Sequence, residues 1–129
     1  MIKDLTKTSL PTAGFGGSYD DYLTPPLDLN ALLVSKPAAT VFMRVHGDDM
    51  AGAGITDDDI LVLDRSITPT NGQIVIAVVD GQFLVRHFVL TQNGVELHQS
   101  ANQDPLIFTE GIEILGVVTS SIKRFVNVL

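Results

Sequence analysis

The chain contains no cysteine. That rules out a disulfide framework and any zinc site built on thiolates, and it fits a reducing compartment. Basic residues are scarce as well: 8 Lys and Arg stand against 15 Asp and Glu, a formal net charge of −7. Phosphate backbones and anionic bilayers are gripped by Lys and Arg. The balance therefore argues against direct, non-specific binding to DNA or to a membrane surface, but leaves open work beside DNA through a basic partner. Long apolar runs are missing too. The longest, "IVIAVV" at 74–79, falls far short of the roughly 20 residues a membrane-spanning helix needs. The opening "MIKDLTKTSLPTAGFGG" lacks the apolar stretch of a secretory signal. The expectation is a cytoplasmic protein.

What is present suits one folded domain. The 129 residues are 45% hydrophobic and 18% charged, as in ordinary globular chains. Residues 1–26 carry Pro11, Gly14, Gly16, Gly17, Pro25 and Pro26 with no sustained period. They read as an extended N-terminal arm, with the folded domain at 27–129. "LDLNALLVSKP" then reads as a short helix: Asp28 caps it, Leu29, Leu32 and Leu33 share a face, and Pro37 stops it.

From there the pattern turns to β. "TVFMRV", "DILVLD", "GQIVIAVV", "GQFLVRHFVL", "GVELHQ", "PLIF" and "IEILGVVTSSIKRF" are rich in Val, Ile and Phe and bounded by turn residues. Asp80-Gly81 and Asn93-Gly94 are hairpin signals. The fold class is mostly β: about seven short, mainly antiparallel strands with one or two short helices. "IEILGVV" reads equally as a dimer strand or as an ordinary core strand.

"HGDDM" at 46–50 is the stretch that invites a chemical reading. His46, Asp48 and Asp49 are metal-ligand types, and "DDD" at 57–59 adds three more carboxylates. Neighbours along a strand point to opposite faces, so they converge poorly on one ion. "DDD" lacks the Gly and Glu spacing of a calcium loop and reads as a solvated turn. An aspartic-protease pair needs two facing carboxylates that share a proton, a poor fit for adjacent Asp48 and Asp49. "GFGGSY" has neither the spacing nor the Lys of a phosphate loop. His87 and His98 each stand alone in strand-like segments. No metal and no cofactor is expected.

The same residues resemble the LexA/UmuD family of self-cleaving serine peptidases, and UmuD more than LexA. The resemblance runs through "DLNALLVSKPAATVFMRVHGDDM", "GITDDDILVLDRSI" and "NGQIVIAVVDGQFLVRHF" to the closing "GVV". It covers about Gly14 to residue 90 without gaps and the remainder more loosely. The family's Gly-Asp-Ser-Met motif falls on Gly47, Asp48, Asp49 and Met50, so Asp49 stands at the nucleophile position. The family's Lys falls on Arg86. The family cuts its own arm, often at an Ala-Gly bond, and Ala13-Gly14 lies at the matching place.

Both replacements are chemically disabling. Asp49 has no hydroxyl to activate, and Arg86 stays protonated in proteins, so it cannot serve as the base. An engineered knock-out would ordinarily use Ala, whereas both residues here are charged. A charge-assisted Asp49–Arg86 bond is the expectation, with a bidentate form open to it. A carboxylate at 49 would also suit the start of the short helical turn in "DDMAGAG".

The resemblance implies a UmuD-like accessory protein of the SOS response to DNA damage that does not cleave itself. It implies a homodimer, an error-prone Y-family polymerase of the UmuC type and the RecA filament as partners, and a mixed dimer with an active UmuD-like relative. The alternative is a LexA-like transcription-regulatory dimerisation module without its own DNA-binding domain.

Overall fold

The computed structural model describes residues 27–99 and 103–126. The chain divides into two units, 1–35 and 36–129, and each is described by itself. Ala13-Gly14 and the rest of the expected arm lie outside the described residues. In the first unit, helix α1 spans Leu29–Leu33. Asp28 caps it: its Oδ1 accepts the N–H groups of Asn30 at 3.0 Å and Ala31 at 3.4 Å. Pro37 is not what ends it. The helix has already closed at Val34, whose N–H donates to the Asn30 carbonyl, and Pro37 instead opens a 3-10 turn at Pro37–Ala39 in the second unit.

The second unit contains seven strands: β1 Thr40–Arg44, β2 Ile60–Asp64, β3 Ile74–Val79, β4 Gln82–Thr91, β5 Gly94–His98, β6 Leu106–Phe108 and β7 Glu113–Ile122. All seven strand-like segments of the sequence become strands. They form one sheet in the order β1-β2-β7-β3-β4-β5-β6, and every neighbouring pair is antiparallel. The family-type β-fold expected from the sequence is the fold observed.

β3 shows why the sheet has two cores. Val75, Ile76 and Ala77 are all at most 1% exposed, though successive side chains point to opposite faces. Ile76 packs with Val45, Met50, Ile55, Leu61 and Leu63. Val75 and Ala77 pack with Phe88, Leu97 and Val117 on the other side. A strand buried on both faces reads as an unbroken apolar run, which is what "IVIAVV" is.

β7 is an interior strand, hydrogen-bonded to β2 on one side and β3 on the other. "IEILGVV" lies within the sheet: Glu113–Val117 pairs with β3, and the strand pairs with β2 from Val117 onward. Two bulges adapt it. The register skips Thr119 against β2 and Leu115 against β3. As a result Ile114 and Val117, three apart, both meet one core, and Leu115 and Val118 both meet the other. Strict alternation would put each pair on opposite faces.

The Asp80-Gly81 hairpin forms as the sequence indicates, with φ of +51° and +78°, the twist-matched primed turn. The second hairpin turns one residue earlier than its Asn-Gly pair suggests. Thr91 pairs directly with Gly94, so Gln92 and Asn93 form the turn and Gly94 begins the strand. Gly94 is needed there because a Cβ would strike the Phe108 carbonyl and come within 2.9 Å of Thr109 Cα.

Gly116 lets β7 approach the end of β2. A Cβ at 116 would lie 2.8 Å from the Asp64 carbonyl oxygen and 3.1 Å from Arg65 Cα. Backbone cannot give way as a flexible side chain can. Gly116→Ala should therefore lower the unfolding free energy by about 1–3 kcal/mol, read as a lower midpoint in urea. An unchanged midpoint would mean that β2 and β7 separate there without cost.

Candidate functional site

The loop that leaves β1 is built around a buried anchor. Met50 is 2% exposed and packs with Val45, Ile55 and Leu61. Gly47 turns the chain at φ +90°, a conformation glycine adopts without a Cβ penalty. Two carboxylates then cross-brace the loop: Asp57 Oδ1 accepts the Gly47 N–H at 2.7 Å, and Asp48 Oδ1 accepts the Asp57 N–H at 2.9 Å.

Asp48 and Asp49 thus serve different neighbours and do not face each other as a pair. Asp48 faces the 57 turn. Asp49 faces β4, where its Oδ2 lies 3.5 Å from Arg86 Nη2. Asp49 and Arg86 are in contact as expected, but through one long bond rather than a fork. A second guanidinium nitrogen, Nη1, donates to the Val85 carbonyl at 2.8 Å and so is directed away from the carboxylate. Arg86 is 9% exposed, while the Asp49 side chain is 65% exposed. Asp49 also fails to cap the following turn. That turn is a 3-10 segment, Ala51–Ala53, with Met50 in the cap position and no side-chain cap bond. The Asp49 carboxylate is directed to Arg86 instead.

Asp49 and Arg86 border a cleft of about 370 Å³ whose walls are Met43–Gly47 and Gly81–Arg86, with Leu61 and Ile76 among its apolar lining. β1 and β4 are separated in the sheet by β2, β7 and β3, so the sheet curls to bring them across one opening. His46 lines the cleft with Asp49, while Asp48 is turned to Asp57. Asp48 is therefore turned away from the other two candidate metal ligands.

The "DDD" turn is not simply solvated. Asp59 is 3% exposed and holds Lys123, which donates to its Oδ1 at 2.9 Å and its Oδ2 at 2.8 Å. Asp59 Oδ2 also accepts the Thr56 N–H at 2.9 Å, and the Lys123 ammonium reaches Thr56 Oγ1. Asp58 takes a left-handed φ of +72° and meets Arg44 at 3.3 Å and Arg124 at 3.4 Å. Lys123 and Arg124 were not legible as site residues. They follow β7, more than 60 positions from their partners, and nothing local in "SSIKRF" marks them. His87 and His98 are likewise not isolated. They sit opposite each other on β4 and β5, and His98 Nε2 lies 2.9 Å from Glu96 Oε1.

A curled antiparallel sheet, opened into a cleft between a Gly-Asp-Asp-Met turn and the strand after an Asp-Gly hairpin, defines a protein with the LexA/UmuD-type β-fold. The Peptidase S24-like family matches residues 8–119, and the chain belongs to it, on its UmuD-like side. It is 41% identical to Protein ImpA of Escherichia coli over 113 residues, 87% of this chain and 78% of that one. It is 36% identical to Protein MucA of Salmonella typhimurium over 116 residues, 86% and 78% of the two chains. It is 39% identical to the LexA repressor of Acetivibrio thermocellus over 89 residues, 67% of this chain but 41% of the repressor.

The Lys123 hydrogen bond, joined by the Thr56 N–H, holds the Asp59 carboxyl below the usual carboxylate range against the opposing effect of burial. A carboxylate whose folded value is depressed stabilises the fold above its unfolded value of about 3.9. That contribution is lost as pH falls through the lower folded value. Lys123→Met should cost about 1–3 kcal/mol at neutral pH, by leaving a buried acceptor unmatched. The gap to the parent should narrow below about pH 4, as Asp59 becomes neutral. Urea unfolding of both proteins at pH 7 and pH 3 reads this; a gap independent of pH would show that the lost stability is packing alone.

Proposed function

We propose that the chain is a UmuD-like accessory protein of the SOS response that does not cleave itself. The observation that supports this reading is the contact between Asp49 and Arg86, at the positions where the resembling family carries Ser and Lys. In a Ser–Lys dyad a neutral Lys takes the hydroxyl proton, so that Oγ can attack the peptide carbonyl. The guanidinium of Arg86 has only N–H donors and no lone pair to receive that proton. Asp49 offers a carboxylate that accepts bonds and has no hydroxyl. Pairing the two lets each remain charged, where a lone buried cation would be costly.

In this reading the protein works by binding. It forms a homodimer, occupies an error-prone Y-family polymerase of the UmuC type, and meets the RecA filament. It stays in the uncut form unless an active UmuD-like relative, joined in a mixed dimer, cuts its arm between Ala13 and Gly14 in trans. It is cytoplasmic and needs no cofactor and no DNA contact of its own. Among the described residues no helix is long and apolar enough to cross a membrane. The LexA-like regulatory module is the second reading. The match to the repressor covers 41% of that protein, against 78% for ImpA, and this difference favours the UmuD-like role.

Intact mass tests the reading. The full-length chain should keep its mass at alkaline pH and with RecA filaments. Asp49→Ser alone should stay uncut, because Arg86 is no base, whereas Asp49→Ser with Arg86→Lys should lose the segment ending at Ala13. Cutting by the parent chain or by the single variant would overturn the account of the replaced base.

A further inference from the structure

The cleft has unpaired strand backbone on both sides. Gln82–Arg86 of β4 pairs with β3 along one edge, and β5 joins β4 only from His87 onward. Among the described residues, no strand pairs the other edge of Gln82–Arg86. β1 is the end strand of the sheet, so its outer edge is free in the same sense. Met43 and Arg44 of β1 and Leu84–Arg86 of β4 line the same opening. Free edges of this kind accept an added extended strand through main-chain hydrogen bonds.

A single buried cation stands at this opening. Arg86 is 9% exposed, yet of its five N–H donors the described partners are the Val85 carbonyl and one carboxylate oxygen at 3.5 Å. A fully formed charge-assisted bond runs nearer 2.7–2.9 Å. The carboxylate comes from Asp49, whose side chain is 65% exposed and can turn into water at little cost.

We infer that the cleft binds the carboxy-terminal end of an extended peptide, with the peptide's terminal carboxylate on Arg86 in place of Asp49. Asp49 marks where that anion sits. Its carboxylate is the internal stand-in, and its negative charge weakens capture of the ligand. The apolar walls at Met43, Leu61 and Ile76 suit uncharged side chains near the terminus. The inference rests on the reading above in one respect: Arg86 must be a permanent cation, where a working base would be neutral.

The test uses a fluorescent decapeptide with the sequence of residues 4–13, "DLTKTSLPTA", made once as the free acid and once as the amide. Anisotropy titrations with the full-length chain should show the acid binding at least about tenfold more tightly, the range of one charged hydrogen bond. Arg86→Gln should remove the difference. Asp49→Asn, at an exposed position, should strengthen acid binding and leave the amide unchanged. Equal binding of acid and amide, or binding of neither, would overturn the inference. Because Arg86→Gln risks misfolding, Asp49→Asn carries the test independently: no gain for the acid also overturns it. Intact mass, run in parallel, reports on self-cleavage alone, so failure of the earlier reading is seen separately.

Discussion

The bond between Lys123 and Asp59 ties the loop that carries Asp49 to the end of β7, an interior strand of the sheet. Asp59 precedes β2 and is almost fully buried, and Lys123 comes directly after β7, the strand on which β2 and β3 both pair. The backbone reinforces the tie, because Val45 and the 58–59 turn exchange hydrogen bonds at 2.9 Å. The position of Asp49 over β4 is thus set by β7 as well as by the loop's own braces. A site needs this kind of support if its residues are to stay within contact distance without a ligand.

Charge is spent unevenly across the domain. Residues 36–126 contain six Lys and Arg: Lys36, Arg44, Arg65, Arg86, Lys123 and Arg124. Four of them, Arg44, Arg86, Lys123 and Arg124, meet carboxylates between 49 and 59. The exposed pairs of Arg44 and Arg124 with Asp58 contribute little each, about 0–1 kcal/mol. Their shared effect is to hold a residue with φ +72° in a conformation that a non-glycine chain rarely adopts. Among the described residues the cations are thus concentrated around one loop.

Much of this was legible in the sequence. Each strand has a run of β-branched or aromatic residues that a local pattern reports, and Asp80-Gly81 declares its turn through residues that tolerate positive φ. The contact between Asp49 and Arg86 followed from the resemblance, since it is a matter of which positions face each other. Its geometry did not follow, because the competing Val85 carbonyl belongs to the backbone and leaves no trace in side-chain identity. The bulges at Leu115 and Thr119 were also silent. They depend on how two neighbouring strands divide β7 between them. "DDD" misled because three adjacent acids look alike in sequence, while the fold gives each its own work: a loop brace, a turn with two arginines, and a buried partner for Lys123.

In the reading proposed above, Asp49 and Arg86 keep the cleft while changing what the cleft offers. A Ser–Lys pair must be neutral at rest, so that one proton can pass between the two groups. An Asp–Arg pair is charged at rest and cannot pass it. The apolar walls, the anchored Met50 and the free strand edges are independent of that difference, since none of them involves either charge. What changes is the electrostatic character of one point in an otherwise peptide-shaped opening. A neutral dyad ignores the charge of an approaching chain end, whereas a buried guanidinium favours an anion and is itself quieted by Asp49. In that reading, loss of the proton path and gain of an anion site are two consequences of the same exchange. The exposure of Asp49 beside the burial of Arg86 makes the cation the fixed element and the carboxylate the replaceable one.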